Sequence, residues 1–111
     1  MNATFLRFLQ LKEVLTGHQV EAEIDLTCQK LLEVVSVRHS QQRPLTVTEV
    51  MQLQQIASPA TLHRKLSVLL EAGYVEFVFE GKNRRTKFIH PTAKSDQYFE
   101  ALGQVLTQSL T

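Results

Sequence analysis

Ser58-Pro59-Ala60-Thr61-Leu62-His63-Arg64-Lys65-Leu66-Ser67-Val68-Leu69-Leu70-Glu71-Ala72-Gly73-Tyr74-Val75 reads as one complete helix with both ends marked. Ser58 supplies an N-cap hydroxyl, and Pro59 takes the first-turn position where a missing amide proton costs nothing. Leu62, Leu66, Leu69 and Leu70 recur at helical spacing, while Thr61, His63, Arg64, Lys65 and Ser67 fall mostly on the other side. Gly73 stops the helix. Residues 75–80 then alternate, with Val75, Phe77 and Phe79 on the side expected to be buried. Gly81-Lys82-Asn83 forms a turn and residues 86–90 a returning strand. A two-stranded ribbon is marginal by itself, so its apolar face is expected to rest on helices. A helix of major-groove size beside a charged ribbon is the way a winged helix-turn-helix meets a duplex.

Working outward, Thr46-Val47-Thr48-Glu49 has capping-box spacing and opens a short helix that turns Val50 and Leu53 inward, with Ile56-Ala57 as the turn. Pro44 separates it from a helix over about 21–41, whose buried side is Ile24, Cys28, Leu31, Leu32, Val34 and Val35. At the amino end, residues 4–15 are helical and apolar nearly all round, with Gly17 as the expected stop. Such a terminal helix must be sandwiched, and in a domain this small a second subunit is the expected cover. A last helix over 92–110 carries a similar stripe. The dimer interface is therefore assigned to Phe5, Phe8, Leu9, Leu11 and Leu15 with Phe99, Leu102, Leu106 and Leu110. The whole of 1–111 reads as one α+β domain, mainly α: a dimerisation helix at 4–15, a winged body at 21–90 and a dimerisation helix at 92–110.

The net charge of +1 conceals an asymmetry. Residues 58–90 hold six Lys/Arg against three Asp/Glu, and the remainder of the chain has no positive excess. Phosphate binding needs a concentrated cationic face rather than a high total. No apolar run approaches the roughly 20 residues of a membrane helix. The N-terminus lacks the pattern of a signal peptide. The single cysteine, Cys28, cannot form an internal disulfide, so a reducing cytoplasm is expected.

The order and spacing of these segments resemble the winged-helix repressors of the multiple-antibiotic-resistance (MarR) family, most strongly over 45–92. The residues that carry the resemblance are Ser58, Thr61, Arg64, Leu66, Leu69, Gly73, Tyr74 and Val75, together with Asn83, Arg85 and Thr92. Three features depart from the pattern. Asn83 stands where the family has a wing aspartate, Pro91 stands where it has leucine, and the C-terminal region is shorter than the family's helix pair. The resemblance implies a prokaryotic regulator; the short C-terminal region argues against a large effector pocket, and no effector is assigned.

An arginine can pair with guanine O6 and N7, and hydroxyls or imidazoles with base edges or phosphates. The duplex-facing set is accordingly Ser58, Pro59, Ala60, Thr61, His63, Arg64 and Lys65 from the helix, with Lys82, Arg84, Arg85 and Lys87 from the hairpin. Arg85 is the candidate for a minor groove; the same charges also guard a ribbon edge against strand pairing. His18, His39, His63 and His90 are too scattered for a zinc site, and no cofactor or metal is expected. Cys28 reads as a small core residue, with peroxide sensing as the alternative. No nucleophile–base pair, phosphate loop or carboxylate pair suggests an enzyme. The expected activity is sequence-specific binding of double-stranded DNA by a homodimer on an inverted repeat, as a transcriptional repressor. A protein-interaction module and a nonspecific architectural or replication-associated DNA binder are the alternatives.

Overall fold

In a computed structural model, the described residues of the chain form seven elements: α1 (Asn2–Gln19), α2 (Leu26–Ser40), α3 (Val47–Met51), α4 (Pro59–Glu71), β1 (Val75–Val78), β2 (Phe88–Pro91) and α5 (Ala93–Ser109). The structure describes residues 2–19, 24–82 and 84–110, the side chains of 15–19 aside. Asn83, the Leu15 and His18 side chains and the expected helical start at 21 lie outside that description.

Side-chain caps start the helices of the body. The Asp25 carboxylate accepts from the Cys28 amide at 2.9 Å and opens α2. Thr46 and Glu49 form a reciprocal capping box at 3.1 and 2.9 Å and open α3. Ser58 Oγ accepts from the Thr61 amide at 3.3 Å and opens α4. Each cap fixes where a helix begins and so which residues face inward.

Leu31, Leu32 and Val35 of α2, Val50 of α3 and Leu62, Leu66 and Leu69 of α4 fill the core, joined by Tyr74, Val75, Ile89 and Tyr98. The antiparallel ribbon pairs Val75 with Pro91 and Phe77 with Ile89. Its inner strand is held on the body by the Ile89 amide, which donates to the Leu45 carbonyl at 2.8 Å, and by a bridge between Thr46 and Phe88. The segment that enters α3 thus acts as a short third strand and fixes the wing to the helix-turn-helix.

The end of α4 is doubly held. Gly73 takes φ +83°, which lets the Tyr74 amide reach the Leu69 carbonyl (2.9 Å) and its own amide reach the Leu70 carbonyl (3.2 Å). The first turn of α5 then grips the exposed carbonyls. Thr92 Oγ1 donates to Gly73 (2.6 Å), Lys94 Nζ to Ala72 (2.7 Å), and Ser95 Oγ to Tyr74. A Cβ on Gly73 would meet only the Lys94 side chain at 4.0 Å, so the cost of substitution is conformational rather than steric. Gly73→Ala is expected to lower unfolding stability by about 1–2 kcal/mol in urea titration. An unchanged midpoint would contradict the left-handed cap.

Several sequence expectations are corrected. α1 continues past Gly17 to Gln19, and α2 starts at Leu26 under Asp25, with Ile24 and Asp25 outside the helix. A glycine inside a helix weakens it without ending it; termination at Gly73 has bonds made possible by positive φ. Phe77 is 38% exposed instead of buried, and Phe79 is only half-buried. The body backs the ribbon at Val75 and Ile89, and none of the described residues between them is buried. β2 runs from Phe88 through Pro91 rather than from 86 to 90. Phe99 and Leu102, assigned to a dimer interface, are half-buried and also pack against the chain's own core.

α1 packs along α5. That leaves Phe5 61%, Leu9 41%, Leu106 50% and Leu110 72% exposed, a large apolar load for a chain of this size. Phe8 and Leu11 are half-buried. No described helix is long and apolar enough to cross a membrane.

Candidate nucleic-acid interface

The first two turns of α4 carry a linked set of polar groups on the exposed side. Ser58 Oγ donates to Thr61 Oγ1 at 3.1 Å, and Arg64 Nη2 donates to the same oxygen at 3.1 Å. Thr61 therefore sits between the cap and the arginine and restrains the guanidinium to one side of the helix. Pro59, Ala60, His63 and Arg64 are exposed, and Thr61 is half-buried. Ser67 spends its hydroxyl on the His63 carbonyl at 3.1 Å. The small residues at Pro59 and Ala60 leave this end narrow enough to approach base edges, and free helix-terminal amides favour negative charge there.

Lys65 departs from the expected set. Its ammonium lies 2.5 Å from Asp25 Oδ2, turned back towards the start of α2, with about a quarter of the side chain exposed. The Lys65 ammonium, and next the Cys28 amide, hold the Asp25 carboxyl below its usual range. Lys65 thus joins α4 to the cap of α2, a structural use that the spacing within α4 could not disclose.

The wing supplies a second cationic surface. Lys82, Arg84, Arg85 and Lys87 are all exposed. Between wing and helix runs an open groove lined by Thr46, Val47 and Thr48 of the α3 start, His63 of α4, and Phe77, Arg85, Thr86 and Lys87 of the ribbon. Thr48 and Phe77 were not among the residues singled out by sequence. Thr48 was legible only as part of a capping box, and Phe77 only as a strand apolar position. The groove has polar donors on both walls and cations on one, which suits a phosphodiester strand running between helix and wing.

Other groups singled out earlier fall elsewhere. His39 and His90 come together with ring centroids 4.6 Å apart, and His90 Nε2 lies 3.3 Å from Glu80 Oε1. Among the described residues no group of three or more His, Cys, Asp or Glu side chains could hold a metal ion. Cys28 is 1% exposed, and burial, followed by the nearby Asp25 carboxylate, pushes its thiol pKa up. It is a core residue with little thiolate character.

No protein-family model matches the sequence, and no curated protein matches it. Solved structures do match in fold. AbfR in its disulfide-formed state superposes with a TM-score of 0.58 at 20% identity; the alignment covers 92% of this chain and 64% of AbfR. The chain thus spans less than two thirds of that protein's length. Rv1404 from Mycobacterium tuberculosis gives 0.64 at 15% identity over 93% of this chain and 71% of that one. FabT from Streptococcus pneumoniae, solved in complex with DNA, gives 0.61 at 19% identity over 96% and 73%. All three are winged-helix regulators of the MarR family. The resemblance read from residues 45–92 is met at the level of fold: this chain has a mainly helical winged-helix architecture with a two-stranded wing.

Proposed function

We propose that the chain binds double-stranded DNA site-selectively as a homodimer and regulates transcription, most simply by blocking a promoter. The observation that carries this reading is the Ser58–Thr61–Arg64 chain of hydrogen bonds, which presents a restrained guanidinium at the exposed end of α4. A cationic ribbon stands across a groove from His63 of the same helix. A bidentate arginine–guanine contact supplies base selection, and the wing cations supply phosphate affinity. The presence of DNA in the FabT structure supports the same use of the same fold. Ser58, Pro59, Ala60, Thr61, His63 and Arg64 form the reading surface, and Lys82, Arg84, Arg85 and Lys87 the wing contacts. A second copy covers Phe5, Phe8, Leu9 and Leu11 together with Leu106 and Leu110. Two reading helices then meet successive major grooves of an inverted repeat, about one helical turn apart or a near multiple of it.

Fluorescence anisotropy against the chain's upstream intergenic duplex and a scrambled duplex, at two salt concentrations, tests this reading. Tighter binding to the first, falling steeply with salt, is the expected result. Sedimentation equilibrium should return twice the 12.7 kDa chain mass. Equal binding of both duplexes would point to an architectural binder or to an operator elsewhere, and no binding at low salt would remove the DNA reading. Arg85→Ala is expected to weaken all duplexes alike and to reduce the slope of log affinity against log salt by about one. A selective loss on one sequence would instead make Arg85 a base reader.

A further inference from the structure

The two wing phenylalanines are in the wrong place for core residues and in a telling place for something else. Phe77 is 38% exposed, and the Lys87 ammonium lies 5.2 Å from its ring centroid. The Arg84 guanidinium carbon lies 5.8 Å from the centroid of half-buried Phe79. Both separations fall within the range over which a ring's negative face attracts a cation. The pairing follows from the ribbon. Phe77 stands opposite Ile89, and Lys87, two residues before Ile89, projects from the same face as its diagonal neighbour. Phe79 follows two residues later, just past the end of β1, and Arg84 lies on the return limb. Two of the four wing cations are therefore seated on rings from the facing limb.

We infer that Phe77 and Phe79 are positioning residues of the wing, holding Lys87 and Arg84 in place for the phosphates of a duplex. Free lysine and arginine side chains sample many rotamers, and binding must restrict them. A ring that restricts them beforehand lowers that cost. It does so without consuming their donors: the ammonium has three N–H groups and the guanidinium five, and a ring face occupies one side of each. Phe77 also lines the groove between wing and α4, so Lys87 is held at its wall rather than in open solvent. The aromatic alternation that reads in sequence as a buried strand face is thus a support for charge.

The inference rests on the DNA reading, and its test separates the two. The full chain is titrated with a random-sequence duplex at low and moderate salt, since phosphate contacts do not need an operator. Phe77→Leu and Phe79→Leu are each expected to weaken binding about two- to five-fold and to flatten the salt dependence. Phe77→Tyr and Phe79→Tyr should restore both, because tyrosine keeps the ring face. Arg84→Ala combined with Phe79→Leu should bind no worse than Arg84→Ala, and Lys87→Ala with Phe77→Leu no worse than Lys87→Ala. That non-additivity is a result that a general loss of packing would not give. Leucine variants that bind as wild type, tyrosine variants that fail to rescue, or additive double mutants would overturn the inference and leave the DNA reading standing. Wild-type protein without salt-sensitive binding would overturn both.

Discussion

Leu62→Ala is expected to lower unfolding stability by about 2–5 kcal/mol, the range for truncating a fully buried leucine. Leu62 is 0% exposed and lies between Thr61 and His63, one turn into α4. It is the apolar anchor of the same turn whose outer side carries Thr61, with Arg64 following within a turn. Truncation removes transfer energy and leaves a cavity against a core that includes Val50 and Val35. Domains of this kind commonly have about 5–15 kcal/mol in total, so the variant should be visibly closer to unfolding. Urea denaturation followed by circular dichroism measures the loss. Val37→Ala, at a position of α2 that is 52% exposed and outside the proposed dimer surface, is the control and should cost far less. Comparable losses at the two sites would mean that α4 is not anchored as described.

Arg64→Ala has the second large effect, and it concerns recognition. If the guanidinium makes a bidentate base contact, its loss costs about 1–3 kcal/mol, or roughly a factor of 5 to 150 in affinity for the preferred duplex. The scrambled duplex should lose much less, so the ratio between the two duplexes collapses. Arg64 is exposed and its recorded hydrogen bond is to the Thr61 hydroxyl, so the fold should tolerate the change. An equal loss on both duplexes would make Arg64 a phosphate contact, with base reading shifted to the small residues at the start of α4.

The parts of this molecule that the sequence disclosed are those governed by neighbours within a turn or two. Ser58 with Thr61, Thr46 with Glu49, and Gly73 with its two amide bonds are local events, and residue type and spacing suffice to read them. The capped helix α4 and the exposed cations of the wing were legible for the same reason. What escaped depends on distant partners. Lys65 belongs to Asp25, 40 positions away, and no periodicity within α4 could withdraw it from the duplex-facing set. His39 and His90 meet only because β2 crosses α2. Phe77 alternates as a strand core residue should, but burial depends on where the helical body stops. The extent of α1 was missed because the glycine at position 17 carries no local sign that the helix continues through it.

The grip of Thr92, Lys94 and Ser95 on the carbonyls of Gly73, Ala72 and Tyr74, just past α4, has a mechanical meaning. α5 has 17 residues and is therefore about 25 Å long, tied at its start to the turn that ends α4. One straight element thus joins the end of α4 to the tip that carries Leu106 and Leu110. A tilt of about 10° at the clamp corresponds to a swing of about 4 Å at the far tip. If a second copy holds that tip, as proposed above, its seating would help to set the aim of α4.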